Sequence, residues 1–125
     1  MKPSIMIVDD DPAIRKTVTL ILGKAGHEVM QAQDGHACLA ALRGGFHGII
    51  LMDIMMPGLS GWQTIRAILK EGLLQRNLVC MLTAMPQPGT EGEGTEEWVF
   101  DYLAKPFTCG QLVQMVENTL KFLAS

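Results

Sequence analysis

The sequence has no excess of basic residues, no long apolar run and no paired cysteines, and each absence closes a class of function. Ten Lys and Arg stand against 13 Asp and Glu, a formal net charge of −3, so the electrostatic footprint of a nucleic-acid binder is missing and no direct nucleic-acid contact is expected. No run approaches the roughly 18 apolar residues that a membrane-spanning helix needs. The N-terminal stretch MKPSIMIVDDDP carries a short apolar run that ends on acidic residues, too short and too acidic to read as a secretory signal. The expected compartment is the cytoplasm, with no membrane partner. Cys38, Cys80 and Cys109 are an odd number without C-x-x-C spacing, and His27, His36 and His47 are scattered. A zinc site is therefore not expected, and the thiols read as reduced and buried. Repeats, low-complexity tracts and linkers are absent as well.

What is present is enough apolar material for one core: 125 residues, 48% hydrophobic and 18% charged, which predicts a single domain over residues 1–125. SIMIV (4–8) reads as a buried strand ending at Asp9-Asp10-Asp11. The following helix has Asp11 as its cap, Pro12 at its first position, an inner face of Ile14, Val18, Ile21, Leu22 and Ala25, and Gly26 as its stop. HEVMQA (27–32) is a second strand, and Asp34 caps a short helix to about Arg43. GIILM (48–52) is the third strand, followed by a helix from about Gly61 to Glu71 with Trp62, Ile65, Ile68 and Leu69 on one side. LVCML (78–82) and DYLA (101–104) are the fourth and fifth strands. A last helix runs from Thr108 to about Leu123, where Thr108 and Gln111 have capping-box spacing and Leu112, Val116, Thr119, Leu120 and Leu123 form the inner stripe. Continuous apolar strands alternating with amphipathic helices predict a parallel sheet covered on both faces.

In open sheets of this kind ligands bind beyond the carboxyl ends of the strands. Asp9 and Asp10 follow strand one, Asp53 follows strand three, Thr83 strand four and Lys105 strand five, so three carboxylates, a hydroxyl and an ammonium meet at one edge. Crowded carboxylates ionise together only at a cost unless a cation joins them. Oxygen-only ligands select a hard ion such as Mg2+ over Zn2+. A divalent ion beside an aspartate, with Thr and Lys on the far side, suits phosphoryl transfer to the carboxylate. Asp11 reads as a helix cap and not a ligand, Asp34 as a cap and Asp101 as a strand-edge residue. The nine methionines read as adaptable core and loop filler; Trp62 reads as core or partner anchor, Trp98 as a partner anchor.

IMIVDDDP, IILMDIMMPGLSG, LTA and YLAKPF, in this order across the chain, resemble the signature segments of response-regulator receiver domains. The resemblance implies a flavodoxin-like (βα)5 three-layer sandwich with strand order 2-1-3-4-5. It implies a sensor histidine kinase as phosphodonor, Mg2+ as cofactor, and an output partner that the sequence does not name. By the same resemblance Asp53 is the phosphoacceptor. Asp10 is the direct metal ligand, Asp9 acts mainly through water, and Met55 contributes its backbone carbonyl. Thr83 bonds a phosphoryl oxygen, Lys105 pairs with it, Tyr102 is the aromatic that moves with Thr83 in switching, and Lys105-Pro106 is a cis peptide. Such a chain catalyses its own phosphotransfer and dephosphorylation and is not primarily an enzyme. Two other readings stand beside it: a receiver fold used as a phosphorylation-independent interaction module, and an aspartyl-phosphate hydrolase. The first is disfavoured by the complete set of acidic residues with Thr83 and Lys105. The second would want an acid where Met55 stands. Both a stand-alone receiver and one excised from a longer protein satisfy these residues.

The chain departs from that family between Thr83 and Lys105. PQPGTEGEG (86–94) is rich in proline and glycine, which cost a helix interior about 3 and roughly 0.8–1 kcal/mol each relative to alanine. The fourth helix is therefore expected to be short or missing, with only TEEWVF (95–100) able to form a turn or two. A loop there would order on phosphorylation or binding and forfeit the usual symmetric dimer of that face.

Overall fold

A strand buried at every position has to be covered on both faces, and the segment Gly48–Asp53 is buried throughout. It is the third strand of the protein, whose structure, a computed structural model, describes residues 4–84 and 96–124. The strands β1 (Ser4–Val8), β2 (Val29–Ala32), β3 (Gly48–Asp53), β4 (Leu78–Thr83) and β5 (Val99–Ala104) form one parallel sheet in the order 2-1-3-4-5. Among the described residues the helices are α1 (Pro12–Lys24), α2 (Gly35–Arg43), α3 (Gly61–Lys70) and α4 (Cys109–Ala124), with a 3-10 turn at Glu96–Trp98. The expected flavodoxin-like sandwich is what forms.

Alternation along the strands divides the core in two. Met6, Val8, Ile50, Met52, Val79 and Met81 face α2 and α3, where Cys38, Leu42, Trp62, Ile65 and Ile68 meet them. Ile5, Ile7, Ile49, Leu51, Cys80 and Leu82 face α1 and α4 and pack on Val18, Leu22, Leu112, Met115 and Val116. Burying each of these large side chains stabilises the fold by roughly 1.5–3 kcal/mol. Trp62 is core, whereas Trp98 is exposed. The inner faces of α1 and α4 differ from expectation at single positions. Ala25 lies past the end of α1 and is exposed, and Met115, not read from the periodicity, is buried on α4.

The caps are as the sequence chemistry requires. Asp11 accepts from the Ala13 N–H at 2.9 Å and Asp34 from Ala37 at 2.8 Å. Thr108 and Gln111 form the reciprocal capping box of α4, and Ser60 with Gln63 forms a second one on α3. Two strand starts are corrected, and β3 and β4 each run one residue further than read, to Asp53 and Thr83. β2 starts at Val29 and not at His27, because the His27 N–H is already bonded to the Leu22 carbonyl at the end of α1. β5 starts at Val99 and not at Asp101. Val99 pairs with Val79 and Asp101 with Cys80, so Phe100 is an extra residue bulged out of the edge strand. The described part of the β4–β5 connection contains only the 3-10 turn, in keeping with a short or missing fourth helix; the stretch 86–94 itself, and Met85, lie outside the described residues.

One close approach sets the end of β3. Gly61, the first residue of α3, donates to the Ile54 carbonyl at 2.9 Å. A Cβ built on Gly61 would lie 2.5 Å from the Asp53 carbonyl oxygen and 2.9 Å from the Ile54 Cα. Only glycine lets α3 start this close to the strand end. Pro57-Gly58 turns the chain into it, with Gly58 at φ +77°.

Candidate functional site

The three carboxylates predicted to converge do so. Asp9 follows β1 and is buried, Asp53 is the last residue of β3 and is buried, and Asp10 beside Asp9 is exposed to solvent. One carboxylate oxygen from each lies within 4.8 Å of the others. Lys105, one residue past β5, brings its Nζ to 3.0 Å from Asp9 Oδ2 and 3.3 Å from Asp53 Oδ1. Asp9 Oδ1 accepts in addition from the Asp11 N–H at 2.9 Å.

Thr83 ends β4 and is buried; its carbonyl accepts the Lys105 N–H at 2.7 Å, which ties β4 to the residue carrying the ammonium. The Lys105-Pro106 peptide is cis, as the resemblance implies. The Met55 backbone N–H lies close enough to the Asp53 carboxylate to favour its ionised form, and Met55 itself is 64% exposed. Tyr102 lies on β5 opposite Met81, half-buried, its ring 6.4 Å from that of Trp62.

Electrostatically the cluster is strained by burial. Loss of water, reinforced by the charge of Asp9, holds the Asp53 carboxyl above its ordinary range, although Lys105 and the Met55 N–H pull the other way. Burial pulls the Lys105 ammonium down, but hydrogen bonding to Asp9 and the charges of Asp53 and Asp9 more than offset it, leaving its affinity for the proton raised. A single octahedral Mg2+ with bonds near 2.1 Å separates adjacent ligand oxygens by about 3 Å. Three carboxylate oxygens gathered within 4.8 Å, all hard donors, suit such an ion, held directly by some and through a retained water by others. Asp11 is outside the group and caps α1, as expected.

Sequence reasoning passed over Arg15. Its Nη1 donates to the Asp9 carbonyl at 2.7 Å and its Nε to Gln31 Oε1 at 3.3 Å. The available signal was a cation in the first turn of a helix, where the dipole disfavours it, four residues after the last of three consecutive aspartates.

Residues 5–117 match the family model described as the response regulator receiver domain. The chain belongs to the response-regulator receiver family. It is 34% identical over 116 residues to Protein PilH of Pseudomonas aeruginosa, covering 93% of this chain and 96% of that one. It is 31% identical over 121 residues to the phosphate regulon transcriptional regulatory protein PhoB of Escherichia coli, covering 97% of this receiver but only 53% of that longer relative. Among solved structures, a CheY-like response regulator receiver domain protein from Methanospirillum hungatei superposes with a TM-score of 0.93 at 42% identity, covering 99% of this chain and 98% of that one. Membership places the receiver in phosphorylation-based two-component signalling, with a carboxylate cluster able to coordinate a divalent metal. Among the described residues no helix is long and apolar enough to cross a membrane.

Proposed function

We propose that residues 1–125 act as one phosphorylation-driven switch in the cytoplasm, taking a phosphoryl group from a sensor histidine kinase onto Asp53. The observation that carries this reading is the Asp9, Asp10 and Asp53 group closed on one side by Lys105. An Asp53 oxygen attacks the phosphorus, the N–P bond of the donor phosphohistidine breaks, and its imidazole leaves. Water later takes the phosphoryl group and restores the carboxylate, so the chain serves its own turnover and is not primarily an enzyme.

Asp10 and Asp53, with Asp9 acting mainly through water and the Met55 backbone carbonyl, would hold Mg2+. When bound, Mg2+ neutralises the charge that builds on the transferring oxygens. Lys105 is pre-positioned to leave its ion pair with Asp53 for a phosphoryl oxygen, and its second hold on Asp9 keeps the ammonium in the site. The Thr83 hydroxyl, at the end of the neighbouring strand, donates to another phosphoryl oxygen. Movement of Thr83 toward that oxygen draws Tyr102 inward, which alters the β5 and α4 surface offered to the downstream partner.

Beryllofluoride, which mimics an acyl phosphate, tests the assignment in an NMR titration with Mg2+. Amide shifts should concentrate at Asp9, Asp10, Asp53, Met55, Thr83 and Lys105 and extend to Tyr102. Shifts confined elsewhere, or none, would overturn the reading.

A further inference from the structure

We propose that Arg15 is a positioning residue for the Mg2+ site: its guanidinium, bridging the Asp9 carbonyl and Gln31, fixes the turn that aims Asp9 and Asp10 at Asp53. This rests on the functional reading above and adds to it a residue that touches none of the reacting groups.

The placement follows from helix geometry. Arg15 sits in the first turn of α1, its N–H bonded to the Asp11 carbonyl. Side chains on a helix lean toward its N-terminus, so a long side chain at this point reaches back over the loop Asp9-Asp10-Asp11. The guanidinium is planar with donors in fixed directions. Nη1 takes the Asp9 carbonyl at 2.7 Å, a short, charge-assisted bond, and Nε takes Gln31 Oε1 on β2 at 3.3 Å. Asp9 is thereby held at both backbone groups: its N–H donates to the Ala32 carbonyl at 3.1 Å and its carbonyl accepts from Arg15. Asp9 is 1% exposed, so removing the guanidinium leaves a buried carbonyl without its charged donor, and the turn has to move to find water.

Two effects of Arg15 on Mg2+ oppose each other. A cation near the acidic group repels a second cation, so deleting it should tighten Mg2+ binding. Fixing the turn gathers the carboxylates, so deleting it should weaken binding. Lys105 already supplies an ammonium in direct contact with Asp9 and Asp53, at 3.0 and 3.3 Å, whereas the described contacts of Arg15 are to a backbone carbonyl and a neutral amide. Positioning therefore prevails.

The sign of the change tests this. Mg2+ dissociation constants are measured by calorimetry for the parent, Arg15→Ala and Arg15→Lys, with thermal melts alongside to establish folding. Arg15→Ala should weaken Mg2+ binding about 10-fold, the scale found when an outer partner of a metal site is lost. Arg15→Lys, able to reach the Asp9 carbonyl but not to span to Gln31 as well, should fall between the two. Should the alanine variant fail to fold, the lysine variant decides alone. Unchanged or tighter Mg2+ binding in a folded variant would overturn the inference and leave the functional reading intact; a parent that binds no Mg2+ would overturn the reading itself.

Discussion

The Nζ of Lys105 stands 3.3 Å from Oδ1 of Asp53, yet this ion pair does not bring the carboxylate down to its ordinary range. Burial, with Asp9 alongside, outweighs it. Between the ordinary carboxylate value near 4 and the raised one, the folded chain binds more protons than the unfolded chain. Stability therefore falls as pH rises through that window and stays lower above it. Asp53→Asn removes the penalty. Its urea midpoint at pH 7 without divalent ions should exceed the parent's, and the gain should shrink as pH is lowered toward 4. Equal midpoints at pH 7, or a gain that grows in acid, would contradict this account of the site.

The buried thiols make a second prediction. Burial pushes Cys38 and Cys80 each up to about 12, while Cys109 is exposed. The sequence-based expectation of three buried thiols is therefore corrected at Cys109, which stands at the exposed start of α4. With iodoacetamide at pH 8, Cys109 should alkylate in the native protein and the other two only after denaturation. Because the folded values lie above the unfolded ones, the stability linked to these thiols is complete below pH 9 and is lost as pH rises toward 12. A Cys38→Ala, Cys80→Ala variant should lose stability less steeply over that range. Native labelling of Cys38 or Cys80 would show that the core opens more readily than its packing implies.

How the sequence could be read differs from element to element. Asp9, Asp10, Asp53, Thr83 and Lys105 were legible because each directly follows or ends a short apolar run, and parallel strands deliver their ends to one edge. The caps at Asp11, Asp34 and Thr108 were legible because their chemistry is local. The start of β5 was not: Glu96 to Phe100 suits a helical turn by its acidic start and a strand by Val99 and Phe100, and pairing with Val79 decided between them. Arg15 escaped because it contacts a backbone carbonyl and an amide brought close only by the fold.

Gly61 links the fold to the site. Gly61→Ala drives a methyl group into the Asp53 carbonyl and the Ile54 backbone, neither of which is the flexible end of a side chain. The variant should lose about 1–3 kcal/mol of stability, the usual range for an overpacked position, and take up phosphate more slowly because the end of β3 shifts. A variant as stable as the parent, with unchanged phosphorylation, would mean that α3 can move away without disturbing Asp53.

Phosphoryl lifetime offers a further test. Met55 sits two residues past Asp53 and is 64% exposed, and Met85 stands two past Thr83. A thioether is a weak acceptor and cannot donate to an attacking water. Decay of the phosphorylated chain should be several-fold slower than in a Met55→Asn, Met85→Glu variant, where polar groups can hold that water. Faster decay in the parent would contradict the assignment.

The central claim is that Asp53 is the phosphoacceptor and that Mg2+ is required, and intact mass spectrometry after incubation with acetyl phosphate tests it most directly. The parent with Mg2+ should gain the mass of a single phosphoryl group, located at Asp53 by peptide mapping. The gain should disappear when Mg2+ is chelated and in Asp53→Asn. A phosphoryl group on another residue, or one acquired equally well without Mg2+ or without the Asp53 carboxylate, would contradict the account.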